Sequence, residues 1–127
     1  MENDSLIFDQ RLDNEFLQSI YEGDAEHAMV VFSQFLQMVP PMMKDIDESY
    51  KAGIVEDFRK KVHKVKPVFS FVGLTTLTKK AELLETKCKE VSEISDISNL
   101  YKELKNQYSL GFPIIEKEVK RLKKQVN

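Results

Sequence analysis

HKVKPVFSFVGL, residues 63–74, is the stretch on which the reading of this chain turns. Carried back to Ile54, it sets Ile54, Val55, Phe58, Val62, Val65, Phe69 and Val72 at helical spacings. On a wheel advancing about 100° per residue from His63, these positions fall between about 180° and 280° and form one apolar stripe. His63 lies opposite that stripe, which points it at solvent. Its neighbours on the outer face are Arg59, Lys60, Lys66, Pro67 and Ser70, with Phe71 about 80° to one side. Gly73 is a natural terminator for a helix over about 54–72.

Working outward, Thr75 or Thr76 can open a further helix over about 76–92, with Leu77, Ala81, Leu84 and Cys88 or Val91 inward. Ser95-Asp96 begins the last one, about 96–125, carrying Leu100, Leu104, Tyr108, Ile115, Val119, Leu122 and Val126; Gly111-Phe112-Pro113 is expected to bend it. Upstream, Lys51-Ala52-Gly53 reads as a turn. A helix over about 25–50, capped by Asp24, carries Ala28, Val31, Phe32, Phe35, Leu36, Val39, Met42, Met43 and Ile46. Pro40-Pro41 interrupts it, predicting either a kink near Leu36–Pro40 or two helices meeting there. Asp13 or Asn14 can cap a short first helix over about 13–22, with Phe16, Leu17 and Ile20 on its apolar face. No stretch alternates with period two over a strand's length. The expectation is an all-α, single-domain chain: an up-down four-helix bundle preceded by a short helix.

At 127 residues, 42% hydrophobic and 31% charged, the composition is that of an ordinary globular domain. No apolar run approaches the roughly 18–20 residues that cross a bilayer, so no membrane association is expected. The opening MENDSLIFDQ is acidic where a secretory signal is basic, which predicts a cytoplasmic protein. The single cysteine, Cys88, makes neither an internal disulfide nor a Cys-based zinc site, and reads as a small buried or half-buried helix residue. The net charge of −2 conceals an asymmetry: residues 1–57 carry −10, residues 58–80 carry +7 with no acid, and residues 81–127 carry +1. The basic block surrounds His63.

That surface suits an imidazole which accepts a phosphoryl group. Neighbouring cations disfavour the imidazolium and leave a nucleophilic ring nitrogen free. A phosphorylated ring bears about two negative charges, which Lys66, one turn away, and the adjacent Lys64 can meet. Pro67 and Ser70 lack long side chains and let a partner come close. Pro67 also has no N–H, which frees the His63 carbonyl.

The string resembles the signature of the histidine-containing phosphotransfer (HPt) domain: His, a hydrophobe at +2, Lys at +3, small residues over the next turn, and Gly at +10 before Leu. Those positions are His63, Val65, Lys66, Ser70, Gly73 and Leu74. A weaker likeness extends to LDNEFLQSIYEGD and to Ala52-Gly53. The resemblance implies a four-helix bundle with an exposed phosphoacceptor, His63, and a glycine closing the turn into the next helix. It implies a docking face for receiver domains made by Arg59, Lys60, Pro67, Ser70, Phe71 and Gly73. Two positions depart from the pattern. Pro67 stands where the family usually has Gly directly after the Lys. Glu85 stands 22 positions after the histidine, where the family often has an orienting Gln. A carboxylate there can accept a proton from the imidazole, yet it would repel the phosphoryl group; a solvated helix acid is the plainer alternative.

The implied mechanism is a relay. A receiver's phospho-aspartate, with its own magnesium ion, docks over His63; a ring nitrogen, the outer Nε2, attacks phosphorus in line, and the reverse step delivers the group to a second receiver. No Gly-rich phosphate loop or ATP-binding pattern is present, so the chain is expected to be a phosphocarrier and not a kinase, with no cofactor or metal of its own and a monomeric state. Two competing readings are a degenerate HPt-like adaptor that binds partners without phosphotransfer, and a nucleic-acid binder using the basic block with Lys117, Lys120, Arg121, Lys123 and Lys124. The acidic first half opposes a polyanion, and no reading motif appears. His27 lacks a basic shell, and neither histidine has Glu three residues earlier, as a di-iron bundle requires. The Met and aromatic positions (Met29, Met38, Met42, Met43, Phe32 and Phe35) read as packing residues, one or two of which could join Phe71 in an apolar docking patch.

Overall fold

Two aspartates set the beginnings of the first two helices. Asp13 accepts the Phe16 N–H (3.2 Å) to open α1, Asn14–Tyr21, and Asp24 accepts the His27 N–H (3.0 Å) to open α2, Ala25–Ala52. The computed structural model describes residues 6–126; α3 spans Val55–Ser70 and α4 Thr75–Cys88. A 3₁₀ turn, Ile94–Ile97, leads into α5, Ser98–Val126. α3 packs against both α2 and α4, and α5 closes the ring against the same two helices. The bundle is therefore all-helical and up-down, as the periodicity predicts.

The inward stripe of α3 is Phe58, Val62, Val65 and Phe69, all fully buried, and Val72 continues it beyond the helix end. Phe32 and Phe35 from α2, Leu77, Ala81 and Leu84 from α4, and Tyr101, Leu104, Ile115 and Leu122 from α5 meet it in one core. Fully burying each large apolar side chain contributes about 1.5–3 kcal/mol. Ile54 departs from its expected place: it precedes the first helical residue and is 55% exposed. Phe16, expected on the inner face of α1, is also exposed.

Of the readings of Pro40-Pro41, that of two separate helices is corrected. α2 runs through Pro40-Pro41 as one helix, α3 through Pro67, and α5 through Pro113. All four prolines are exposed. The carbonyls they leave without a helical donor thus lie on the water side of the bundle, where solvent supplies the missing partner. Gly111 lies within α5 and does not end it. It is buried, and a Cβ there would come within 2.9 Å of Leu74 Cδ2, so it admits the leucine that follows the α3–α4 turn. Nor does a threonine cap α4: the hydroxyl of Thr75, its first residue, donates to Asp13 (2.8 Å) instead.

Residues 6–12, to which the periodicity assigns no element, form an ordered strap. Leu6, Phe8 and Leu12 are buried while Ile7 between them is exposed, the alternation of an extended segment. Phe8 stacks on Phe32 at 5.4 Å, and Asn14 holds the strap by accepting from the Phe8 N–H (2.8 Å) and donating to the Asp9 carbonyl (3.1 Å). The Asp9 N–H reaches buried Glu118 on α5 (3.0 Å), which Arg121 also grips with two hydrogen bonds.

Candidate functional site

Gly73 shapes the end of the helix that carries His63. Its φ of +77° suits a residue without a Cβ, and a Cβ there would lie 2.7 Å from Leu17 Cδ1 and 3.1 Å from the Asp13 nitrogen. The Leu74 N–H returns to the Phe69 carbonyl and the Gly73 N–H to Ser70, so the turn satisfies the last carbonyls of α3. Gly73 is buried, which corrects its inclusion in an exposed docking face: it sets the turn and offers no surface. The turn brings α4 back along α3, and α4 carries Glu85 to the level of His63.

His63 is the exposed member of a charged cluster built by these two helices. Its side chain is 65% exposed, whereas that of Glu85 is only 10% exposed. His63 Nδ1 lies 2.6 Å from Glu85 Oε2, and Lys66 Nζ donates to Glu85 Oε1 at 2.9 Å. Arg59 stands 3.9 Å from the same carboxylate while its fork is bound to Glu56. Burial pushes the Glu85 carboxyl up, but the hydrogen bonds from Lys66 and His63 outweigh it and hold the group below its ordinary value. Glu85 is therefore an acceptor only, so Nδ1 must carry the proton of a neutral ring and Nε2 the lone pair. Nε2 has no protein partner among the described residues.

The remaining site residues divide by exposure. Lys60, Lys64 and Pro67 are exposed beside His63, and Phe71 is 46% exposed at the end of α3. Ser70 shares a hydrogen bond with Thr78 (3.0 Å), and Lys66, expected to face the ring's outer side, is engaged with Glu85. Glu85 is no solvated helix acid. Two contributors have no signal in the sequence. Thr78 seats Ser70, and the Tyr21 hydroxyl donates to the Phe71 carbonyl (2.6 Å), pinning the α3 end from α1. Burial pushes Tyr21 up to about 12, so it stays a donor. Phe71, Ile20, Tyr21, His27, Val31 and Gln34 line a mostly apolar groove of about 340 Å³ beside this end of the helix. His27 sits exposed at its rim, edge-on to Tyr21. Cys88, one turn beyond Glu85, is buried, and that burial pushes its thiol up and keeps it unreactive.

The architecture has a counterpart among solved structures. The crystal structure of histidine-containing phosphotransfer protein B (HptB) from Pseudomonas aeruginosa PAO1 superposes with a TM-score of 0.75, covering 88% of this chain and 96% of that one at 17% identity. The chain has the HPt fold. No family model matches the sequence, and no curated protein does. At 17% identity the likeness speaks for the HPt fold alone; what His63 does must be argued from its own surroundings. No helix among the described residues is long and apolar enough to cross a membrane.

Proposed function

We propose that this chain is a phosphorelay carrier in which His63 accepts a phosphoryl group from a receiver domain's phospho-aspartate and passes it to another receiver. One observation carries the reading: an exposed imidazole whose inner nitrogen is held by a buried, charge-compensated carboxylate, leaving the outer nitrogen unpartnered. Glu85 sets the ring's tautomer and angle, so that the Nε2 lone pair points at the incoming phosphorus. The repulsion a carboxylate exerts on a phosphoryl group is limited here in two ways. Glu85 faces Nδ1 rather than Nε2, and Lys66 with Arg59 offsets its charge.

The receiver would supply the divalent cation and the leaving carboxylate, and catalysis would come from positioning and charge stabilisation. Lys60 and Lys64 would attract the acidic rim of a receiver site, and Phe71 with the groove beside it would seat an apolar patch of the same partner. The chain would act as a carrier and not as a kinase, working in the cytoplasm as a monomer.

The test is transfer from a panel of phosphorylated receivers to the wild-type chain and to His63→Gln, each product being split between acid and alkali. Label that survives alkali, is lost in acid and is absent from the variant is the expected result. If no receiver labels the wild type, the relay reading fails and a phosphorylation-independent helical adaptor replaces it.

A further inference from the structure

The inner nitrogen of His63 also bears on what happens after the phosphoryl group arrives. Attack by Nε2 forms the N–P bond while the aspartyl P–O bond breaks, its electron pair remaining on the aspartate oxygen. The proton on Nδ1 does not move, so the ring changes from neutral to cationic. Whether that proton then stays decides the chemistry of the carrier. A phosphoimidazolium releases its phosphoryl group with neutral imidazole as the leaving group. A ring that has lost the proton must leave as imidazolate, a far poorer leaving group.

Glu85 sits where it can settle this. Its Oε2 is 2.6 Å from Nδ1, its side chain is 10% exposed, and it faces the ring from a different helix. The groups around the pair are Glu56, Arg59 and Lys66 on α3 and Cys88 on α4, with Lys60 and Lys64 flanking the ring on its own helix. Lys66 takes the other oxygen of Glu85, and Arg59, forked onto Glu56, comes only within 3.9 Å of Oε2, so the Glu85 oxygen 2.6 Å from the ring is the nearest anion placed to balance a cationic phosphohistidine. We infer that Glu85 is a positioning residue of the phosphorylated state, holding the proton on Nδ1 of phospho-His63 and so making the carrier a short-lived, transfer-ready intermediate rather than a long-lived store. This rests on His63 being the phosphoacceptor, and extends that reading to the lifetime of the product.

The full chain would be phosphorylated with phosphoramidate, a small-molecule donor that needs no receiver. Imidazole ¹⁵N spectra of phospho-His63 would be recorded across pH in the wild type, alongside the hydrolysis rate in the wild type and in the isosteric Glu85→Gln. The expected result is an Nδ1 that stays protonated to higher pH in the wild type, with hydrolysis at pH 8 slowing about tenfold in Glu85→Gln for each unit by which the proton affinity of Nδ1 falls. The rate-against-pH curve of the variant would be displaced to lower pH, a change that loss of packing alone does not produce. A wild-type phospho-His63 already deprotonated at neutral pH, or coincident rate profiles for the two proteins, overturns the inference while leaving His63 as acceptor. Failure of phosphoramidate to label His63 at all overturns the acceptor reading beneath it.

Discussion

Glu85 approaches His63 from a different helix, with Oε2 2.6 Å from Nδ1. Counting 22 residues from His63 finds it, but only its burial and its two partners show why a carboxylate is tolerated there. Lys66 holds the oxygen that His63 does not. Removing its charge leaves a buried carboxylate short of a partner, so Lys66→Met is expected to cost about 1–3 kcal/mol, measured as a shift in the urea unfolding midpoint. The pH dependence has a definite sign. The folded-state value of Glu85 lies below its unfolded value, so the stability it contributes is fully present above the unfolded carboxylate range. That contribution is lost as pH falls through the depressed folded value. Comparing urea midpoints of the wild type and Glu85→Gln from pH 7 downward should show their difference shrinking below the ordinary carboxylate range. A difference constant with pH would show that Glu85 acts through shape alone.

At the scale of the helix, the two buried glycines separate backbone strain from packing. Gly73→Ala must place a Cβ at a φ of +77° and against backbone as well as side-chain atoms, so it is expected to cost about 1–3 kcal/mol. Gly111→Ala meets only the end of Leu74, and alanine is intrinsically better than glycine within a helix by about 1 kcal/mol; the second loss should be clearly the smaller when both are read by thermal unfolding. The same scale shows what the sequence could and could not reveal. The inward stripe of α3, the Asp24 cap and the Gly73 stop are legible because periodicity and capping act over a few residues. Proline does not end the helix at positions 40, 41 and 113, because its cost depends on whether the freed carbonyls face water, a property of the assembled bundle. The Tyr21–Phe71 and Asp9–Glu118 hydrogen bonds join residues 50 and 109 positions apart, a separation that no local pattern encodes.

Over the whole molecule, charge is sorted along the chain and then gathered on a surface. The basic block ends up partly cancelled: Arg59 is paired with Glu56, Lys61 with Asp57, Lys66 with Glu85 and Lys80 with Glu103. Lys60 and Lys64 remain exposed beside His63. Lys79 is also exposed, on α4, but Lys60 and Lys64 share a helix with His63, so steering of an acidic receiver to the ring would fall mainly to these two. The double variant Lys60→Glu with Lys64→Glu should lower the second-order rate of phosphotransfer by about tenfold or more at low salt, an effect that fades as ionic strength rises. The rate once the receiver is bound should change little. Stopped-flow transfer over a salt series would separate the two, and a loss unaffected by salt would place the lysines in chemistry rather than in encounter.

The strap ties Asp9 to Glu118, a main-chain anchor that joins residues 109 positions apart. During synthesis Phe8 can meet Asn14 and Phe32 as soon as α1 and the start of α2 exist, whereas the Asp9 N–H has no partner until Glu118 has been made. A contact of such high sequence separation is also slow to close in a free chain. The local holds of the strap can thus form early, while its tie to α5 is a late closure of the fold.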